Sequence, residues 1–67
     1  MIRIVINGQD REVPDDESLA RVVASIATSA TGIAVAVNGE VVRRASWPSV
    51  LLAAGDEIEV LTAVQGG

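Results

Sequence analysis

The sequence predicts one small α+β domain of two layers, a mixed sheet of four to five strands carrying one main helix. Three observations carry that expectation. Side chains alternate with a period of two, apolar against polar at the start and near the end of the chain and large against small in the middle, which is the period of strands. Two of the alternating runs end in Asn-Gly, the strongest short hairpin signal because both residues tolerate positive φ. Between those hairpins lies a single stripe with helical spacing.

The elements follow in order. Met1 to Ile6 places Ile2, Ile4 and Ile6 on one face and Arg3 and Val5 on the other. Asn7-Gly8 turns the chain, and Gln9 to Val13 returns as a polar strand that Pro14 ends. Asp15, Asp16, Glu17 and Ser18 put negative charge and a capping hydroxyl where a helix would start, as its dipole favours. Leu19, Val22, Val23 and Ile26 then form the buried stripe, with Arg21, Ser25 and Thr28 facing water. The helix is expected to fade between Thr28 and Thr31, with Gly32 opening the next element. Ile33 to Val37 has no polar residue, so it is covered on both faces or runs inside its sheet. Asn38-Gly39 repeats the hairpin signal, and Glu40 to Arg43 forms a short returning strand. Ala45 to Ala54 lacks a period and contains Trp47-Pro48, which reads as an irregular link with one 3₁₀ turn. Ala54-Gly55-Asp56 is a turn, and Glu57 to Leu61 is a last strand with Ile58 and Val60 inward. With the last strand closing beside the first in parallel, this is the β-grasp, or ubiquitin-like, order. The domain spans residues 1–62, and residues 63–67 form a flexible tail ending in Gly-Gly.

Composition narrows the function. The chain has 67 residues, 49% of them apolar, and its core is expected to be aliphatic because Ile, Leu and Val number 21. It has no Cys and no His, hence no disulfide framework and no metal site built on those ligands. All five basic residues are Arg. Without thiolate, imidazole or Lys amine, most of the catalytic repertoire is missing, and an enzyme acting alone is not expected. A formal net charge of −4 argues against nucleic acid and anionic membrane, and for a basic groove on a partner protein. The charge-free stretch from Val22 to Gly39 approaches spanning length, but Ser25, Thr28, Ser29, Thr31 and Gly32 interrupt it. With no basic segment ahead of an apolar one, no secretory signal is read, and a cytoplasmic location is expected.

The remaining candidate residues have plain structural readings. Asp15-Asp16-Glu17 is a helix N-terminal charge cluster rather than a metal site. Trp47 is a partly buried loop anchor whose indole N–H caps a carbonyl. Arg43-Arg44 is a solvated strand end. Val5 and Leu61 point outward from strands that become neighbours if the sheet closes as proposed, which makes them the candidate partner patch.

Three stretches give the sequence a resemblance to a known family. They are Gly32-Ile33-Ala34-Val35-Ala36-Val37-Asn38-Gly39-Glu40-Val41-Val42, then Trp47, then Gly55-Asp56-Glu57-Ile58-Glu59-Val60-Leu61-Thr62-Ala63-Val64-Gln65-Gly66-Gly67. With these, the chain resembles the sulfur carrier proteins of thiazole biosynthesis, the ThiS type within the ubiquitin-like superfamily. The resemblance covers the whole chain, and the ending Ala63-Val64-Gln65-Gly66-Gly67 is its most specific part. It implies that Gly67 is the modified residue, adenylated at its carboxylate and then converted to a thiocarboxylate. Gly66 would give access to the partner's site, and Ala63, Val64 and Gln65 would form the docking stem. Glycines suit such a tail because the absence of a Cβ keeps it thin and widens its backbone choices. No cofactor of the chain's own is implied, since the activating partner uses ATP and Mg. The implied partners are an E1-like adenylyltransferase (ThiF type), a thiazole synthase (ThiG type) and a persulfide sulfur donor. Two alternatives stay open: the small sulfur-carrier subunit of molybdopterin synthase, and a β-grasp module that only binds another protein. Lacking Lys, the chain offers its N-terminus as the sole amine able to trap an activated end.

Overall fold

The computed structural model describes residues 1–26 and 32–62. Five strands and one α-helix follow one another along them: β1 (Ile2–Ile6), β2 (Gln9–Val13), α1 (Leu19–Ile26), β3 (Ile33–Val37), β4 (Glu40–Val42) and β5 (Glu57–Thr62). A 3₁₀ helix, Arg44–Ser49, lies in the link before β5. The sheet has the order β2-β1-β5-β3-β4, so the last strand to be made occupies the middle. Both hairpins are antiparallel, β5 runs antiparallel to β3, and it runs parallel to β1. This is the β-grasp arrangement the element order predicts, with all five strands in one mixed sheet.

Each hairpin turns as its dipeptide dictates. Asn7 and Gly8 adopt φ of 50° and 81°, and Asn38 and Gly39 adopt 51° and 83°. A two-residue turn with positive φ at both positions matches the right-handed twist of the strands it joins.

One face of the sheet carries the core. Ile4, Ile6, Val13, Val35 and Ile58 from the strands meet Leu19, Val22 and Val23 of α1, closed by Trp47 and Leu52 from the link. Ile26 is half-buried at the end of the helical stripe. The helix start is satisfied from two sides. Ser18 Oγ accepts the Arg21 N–H at 3.2 Å, an N-cap bond. The Leu19 N–H donates to the Val50 carbonyl at 2.8 Å, and the Leu52 N–H donates to the Glu17 carbonyl at 3.0 Å. The link thus stitches itself to the helix entrance, and that is why the aperiodic Ala45 to Ala54 is ordered. Its anchor is Trp47, 5% exposed, whose indole N–H donates to the Val42 carbonyl at 2.9 Å.

Some local expectations gain partners and others change. The acidic run lies just ahead of the helix, where the sequence places it. There Asp15 pairs with the Met1 ammonium at 2.7 Å and Glu17 with Arg21 at 3.2 Å, so nearby cations hold these carboxylates. The hydrogen bond and charge of Asp15 raise the pKa of the N-terminal ammonium above its ordinary value. Strand β3 runs inside the sheet, between β5 and β4, and its second face is not covered: Ala34 is exposed. Leu52 joins the core with no periodic signal to announce it. The fading of the helix between Thr28 and Thr31 lies outside the described residues. Among those described, no helix is long and apolar enough to cross a membrane.

Candidate functional site

The five residues singled out at the end of the chain, Ala63, Val64, Gln65, Gly66 and Gly67, lie outside the described residues. The structure describes the platform that leads into them. It is β5, the central strand, held by a neighbour on each flank. Its pairing with β3 is long, from Val37↔Ile58 to Ile33↔Thr62. Its pairing with β1 is brief, covering Val5↔Glu57 and Ile6↔Ile58.

The two Asn-Gly turns contribute more than a change of direction. Asn38 Oδ1 accepts the Glu57 N–H at 3.0 Å, and its Nδ2 donates to Asp56 Oδ1 at 3.1 Å. Asp56 Oδ2 in turn accepts the Ala53 N–H at 2.8 Å, locking the turn before β5. Asn7 reaches the other flank of the strand. Its Oδ1 accepts the Val60 N–H at 2.9 Å, and its Nδ2 donates to the Val60 carbonyl at 3.3 Å. Both Asn side chains thus hold the central strand, one at its start and one near its end. The repeated dipeptide was the only sequence signal for this, and it announces the turn rather than the side-chain contacts.

The face of the sheet opposite α1 is open. By strand register it presents Arg3 and Val5 of β1, Asp10 and Glu12 of β2, and Ala34 and Ala36 of β3. Val41 of β4 and Glu57, Glu59 and Leu61 of β5 complete it. Leu61 and Val41 are 64% and 78% exposed, whereas Val5 is half-buried. Val5 and Leu61 do lie on neighbouring strands and on one face. However, Val5 is level with Glu57, four positions before Leu61, so the two are about 13 Å apart along the strand. They do not form one contiguous patch. Leu61 is level with Ala34, and Ala36 with Val41, which makes a small apolar corner beside the end of β5, bordered by Glu59, level with Ala36. The other end of the face is acidic, with Asp10, Val5 and Glu57 in one row and Glu12 paired across from Arg3.

Chemically, this surface offers shape and charge rather than a reaction centre. Among the described residues no group of three or more carboxylates could hold a metal ion. None of their polar side-chain atoms is buried without a hydrogen-bond partner. Arg43 and Arg44 are exposed.

Comparison with known proteins agrees with this architecture. The crystal structure of the thiamine biosynthesis protein ThiS from Geobacter metallireducens superimposes with a TM-score of 0.83. The match is 23% identical and covers 98% of this chain and 100% of that one. The solution structure of a thiamine biosynthesis protein from the same organism gives a TM-score of 0.75, also at 23% identity, over 98% and 88% of the two chains. At that identity the likeness establishes the fold. A search of curated proteins finds no match. A model of the ThiS family, in contrast, matches residues 4–67, from the first core strand to the final glycine. On that match, the chain belongs to the ThiS family.

Proposed function

We propose that this chain is a sulfur carrier for the thiazole moiety of thiamine, working through the carboxylate of Gly67. The observation that carries the reading is the ThiS family match extending through Gly66-Gly67 on a β-grasp domain. A chain without Cys, His or Lys has little else to react with, so its useful group is that terminal carboxylate.

In the proposed cycle, a Gly67 carboxylate oxygen attacks the α-phosphorus of ATP bound with Mg to an E1-like adenylyltransferase. The bond from that phosphorus to the bridging oxygen breaks, pyrophosphate leaves and the acyl-adenylate forms. The terminal sulfur of a persulfide donor attacks the acyl carbon and expels AMP. A thiol then cleaves the resulting S–S bond, leaving the thiocarboxylate on Gly67 and a disulfide on the donor side. A thiazole synthase accepts the sulfur. The chain acts here as a co-substrate of its partners rather than as an enzyme. Gly66 lets the tail enter a narrow channel, while Ala63, Val64 and Gln65 serve as its stem. The open sheet face is the docking surface, with Leu61 near the tail and the acidic end toward basic residues of the activating partner.

Incubation with ATP, Mg²⁺ and the cognate activating enzyme, read by intact mass, tests this. An AMP adduct, followed by an oxygen-to-sulfur mass shift once a donor is added, is the expected result. Deleting Gly67 should abolish both without unfolding the domain. Complementation of a thiazole auxotroph by the parent chain, and its loss on that deletion, ties the chemistry to thiamine. No mass change with a demonstrably active enzyme would overturn the proposal.

A further inference from the structure

Strand β1 runs out before its partner does. It pairs with β5 only as far as Ile6↔Ile58, and the Asn7 N–H makes one more bond, to the Ile58 carbonyl at 2.9 Å. Then the chain turns at φ of 50° and leaves for β2. Two residues further along β5, the N–H and C=O of Val60 would face a turn instead of a strand. The Asn7 side chain takes both, at 2.9 Å and 3.3 Å. A primary amide carries one carbonyl and one N–H₂ group, so it can substitute for a peptide unit in a ladder. Asn also tolerates the left-handed backbone that the turn requires. One residue thus ends β1 and prolongs its hold on β5.

The geometry points to Asn7 as a positioning residue that fixes the end of β5, the strand that residues 63–67 follow in the chain. This inference rests on the carrier reading above. Among the described residues Val60 is the last point at which β5 is held from the β1 side, and beyond it the strand pairs with β3, to Thr62. Residues 63–67 follow in the chain from a strand end whose last two-sided hold, among the described residues, is Asn7. If Val60 is released, that hold retreats to Ile58. The span to Gly67 does not lengthen, because β3 still pairs with β5 to Thr62, so tail length contributes no loss. Misdirection is what costs, because a displacement of about 1 Å at a reacting centre can cost roughly 100-fold. The expected loss is smaller than that, on the order of tenfold in kcat. Docking by the sheet face is untouched, so KM stays the same.

The test uses Asn7→Gly, which keeps the positive-φ turn while deleting the amide. Its control is Asn38→Gly, the same change in the same turn type, which loosens the start of β5 at Glu57 instead. Amide hydrogen exchange of the full chain should show Val60 at least about fivefold faster in Asn7→Gly and unchanged in Asn38→Gly, one hydrogen bond's worth. AMP-adduct formation by the activating enzyme should lose kcat in Asn7→Gly with KM unchanged, while Asn38→Gly keeps its kcat. A merely structural role would move the two variants together. Equal loss of kcat in both, a change confined to KM, or a Val60 amide that exchanges no faster overturns the inference. If the parent chain forms no AMP adduct, the carrier reading fails instead, and the exchange comparison alone decides whether Asn7 holds the strand end.

Discussion

Trp47 is the chain's only aromatic residue, and its replacement gives the most quantitative test of how the link before β5 is held. The side chain is 5% exposed, and its N–H donates to the half-buried Val42 carbonyl at 2.9 Å. Trp47→Phe keeps an aromatic body and removes that bond. The net loss for a hydrogen bond is about 1 kcal/mol, rising to about 2 if the carbonyl finds no water. Trp47→Ala removes the packing too, at about 3–5 kcal/mol. A chain of this length is expected to have only about 3–10 kcal/mol of stability, so the Ala variant sits near unfolding while the Phe variant remains folded. With about 2.1 cal/mol/K of unfolding entropy per residue, each kcal/mol moves Tm by about 7 °C. The Phe variant has lost the chain's one fluorescent indole, so thermal melts should be followed by far-UV circular dichroism at helix wavelengths. The expected shift for Trp47→Phe is about 7–14 °C. A Phe variant melting within about 2 °C of the parent would show that the indole N–H contributes nothing and that only packing fixes the link.

The remaining expectations concern charge and the open face. Leu61→Ser, at a 64% exposed position, should change stability by less than about 0.5 kcal/mol while weakening the complex with the activating enzyme, measured by calorimetry. Unaltered affinity would remove Leu61 from the docking surface. Glu59→Lys should slow association by stopped flow, about tenfold at low salt, and flatten its salt dependence; an unchanged rate would leave the acidic face without a steering role. Between about pH 7 and 11 the N-terminal ammonium is the one group expected to titrate, because the chain has no His, Cys, Tyr or Lys. Its folded pKa is raised by Asp15, so the stabilisation is complete below the unfolded value near 8.0 and is lost as pH rises through the folded value. Tm should therefore decline above pH 8 in the parent and stay level in Asp15→Asn. Parallel profiles would mean that the ion pair does not persist in solution.

Much of the molecule is legible in its residues because the signals are local. Alternation marks β1, β3 and β5, since a strand with one buried face must place apolar residues two apart. The helical stripe from Leu19 to Ile26 and the Ser18 cap follow from the 3.6-residue turn and its orphan N–H groups. Even the Trp47 anchor was legible, because a single indole in an aliphatic protein needs both burial and a carbonyl. Leu52 was not legible: its burial depends on the link folding back over the helix entrance, a contact between residues far apart in sequence. The partner of Asp15 was not legible for a related reason, since the Met1 ammonium reaches it only once β1 and β2 have closed.

The chain by itself therefore determined the elements, their order, the two turns and the terminal Gly-Gly, all of which depend on neighbours a few residues away. The tertiary structure alone decided which side chains serve the central strand. Asn7 and Asn38 look identical in sequence, each an Asn before a Gly. Only the insertion of β5 between β1 and β3 brings one to Val60 and the other to Glu57. The same insertion separates Val5 from Leu61, because the register between β1 and β5 is set by contacts 52 residues apart in the chain, as in Val5↔Glu57. Side-chain period specifies a face but not a height along the strand, and height decides which exposed side chains share a patch.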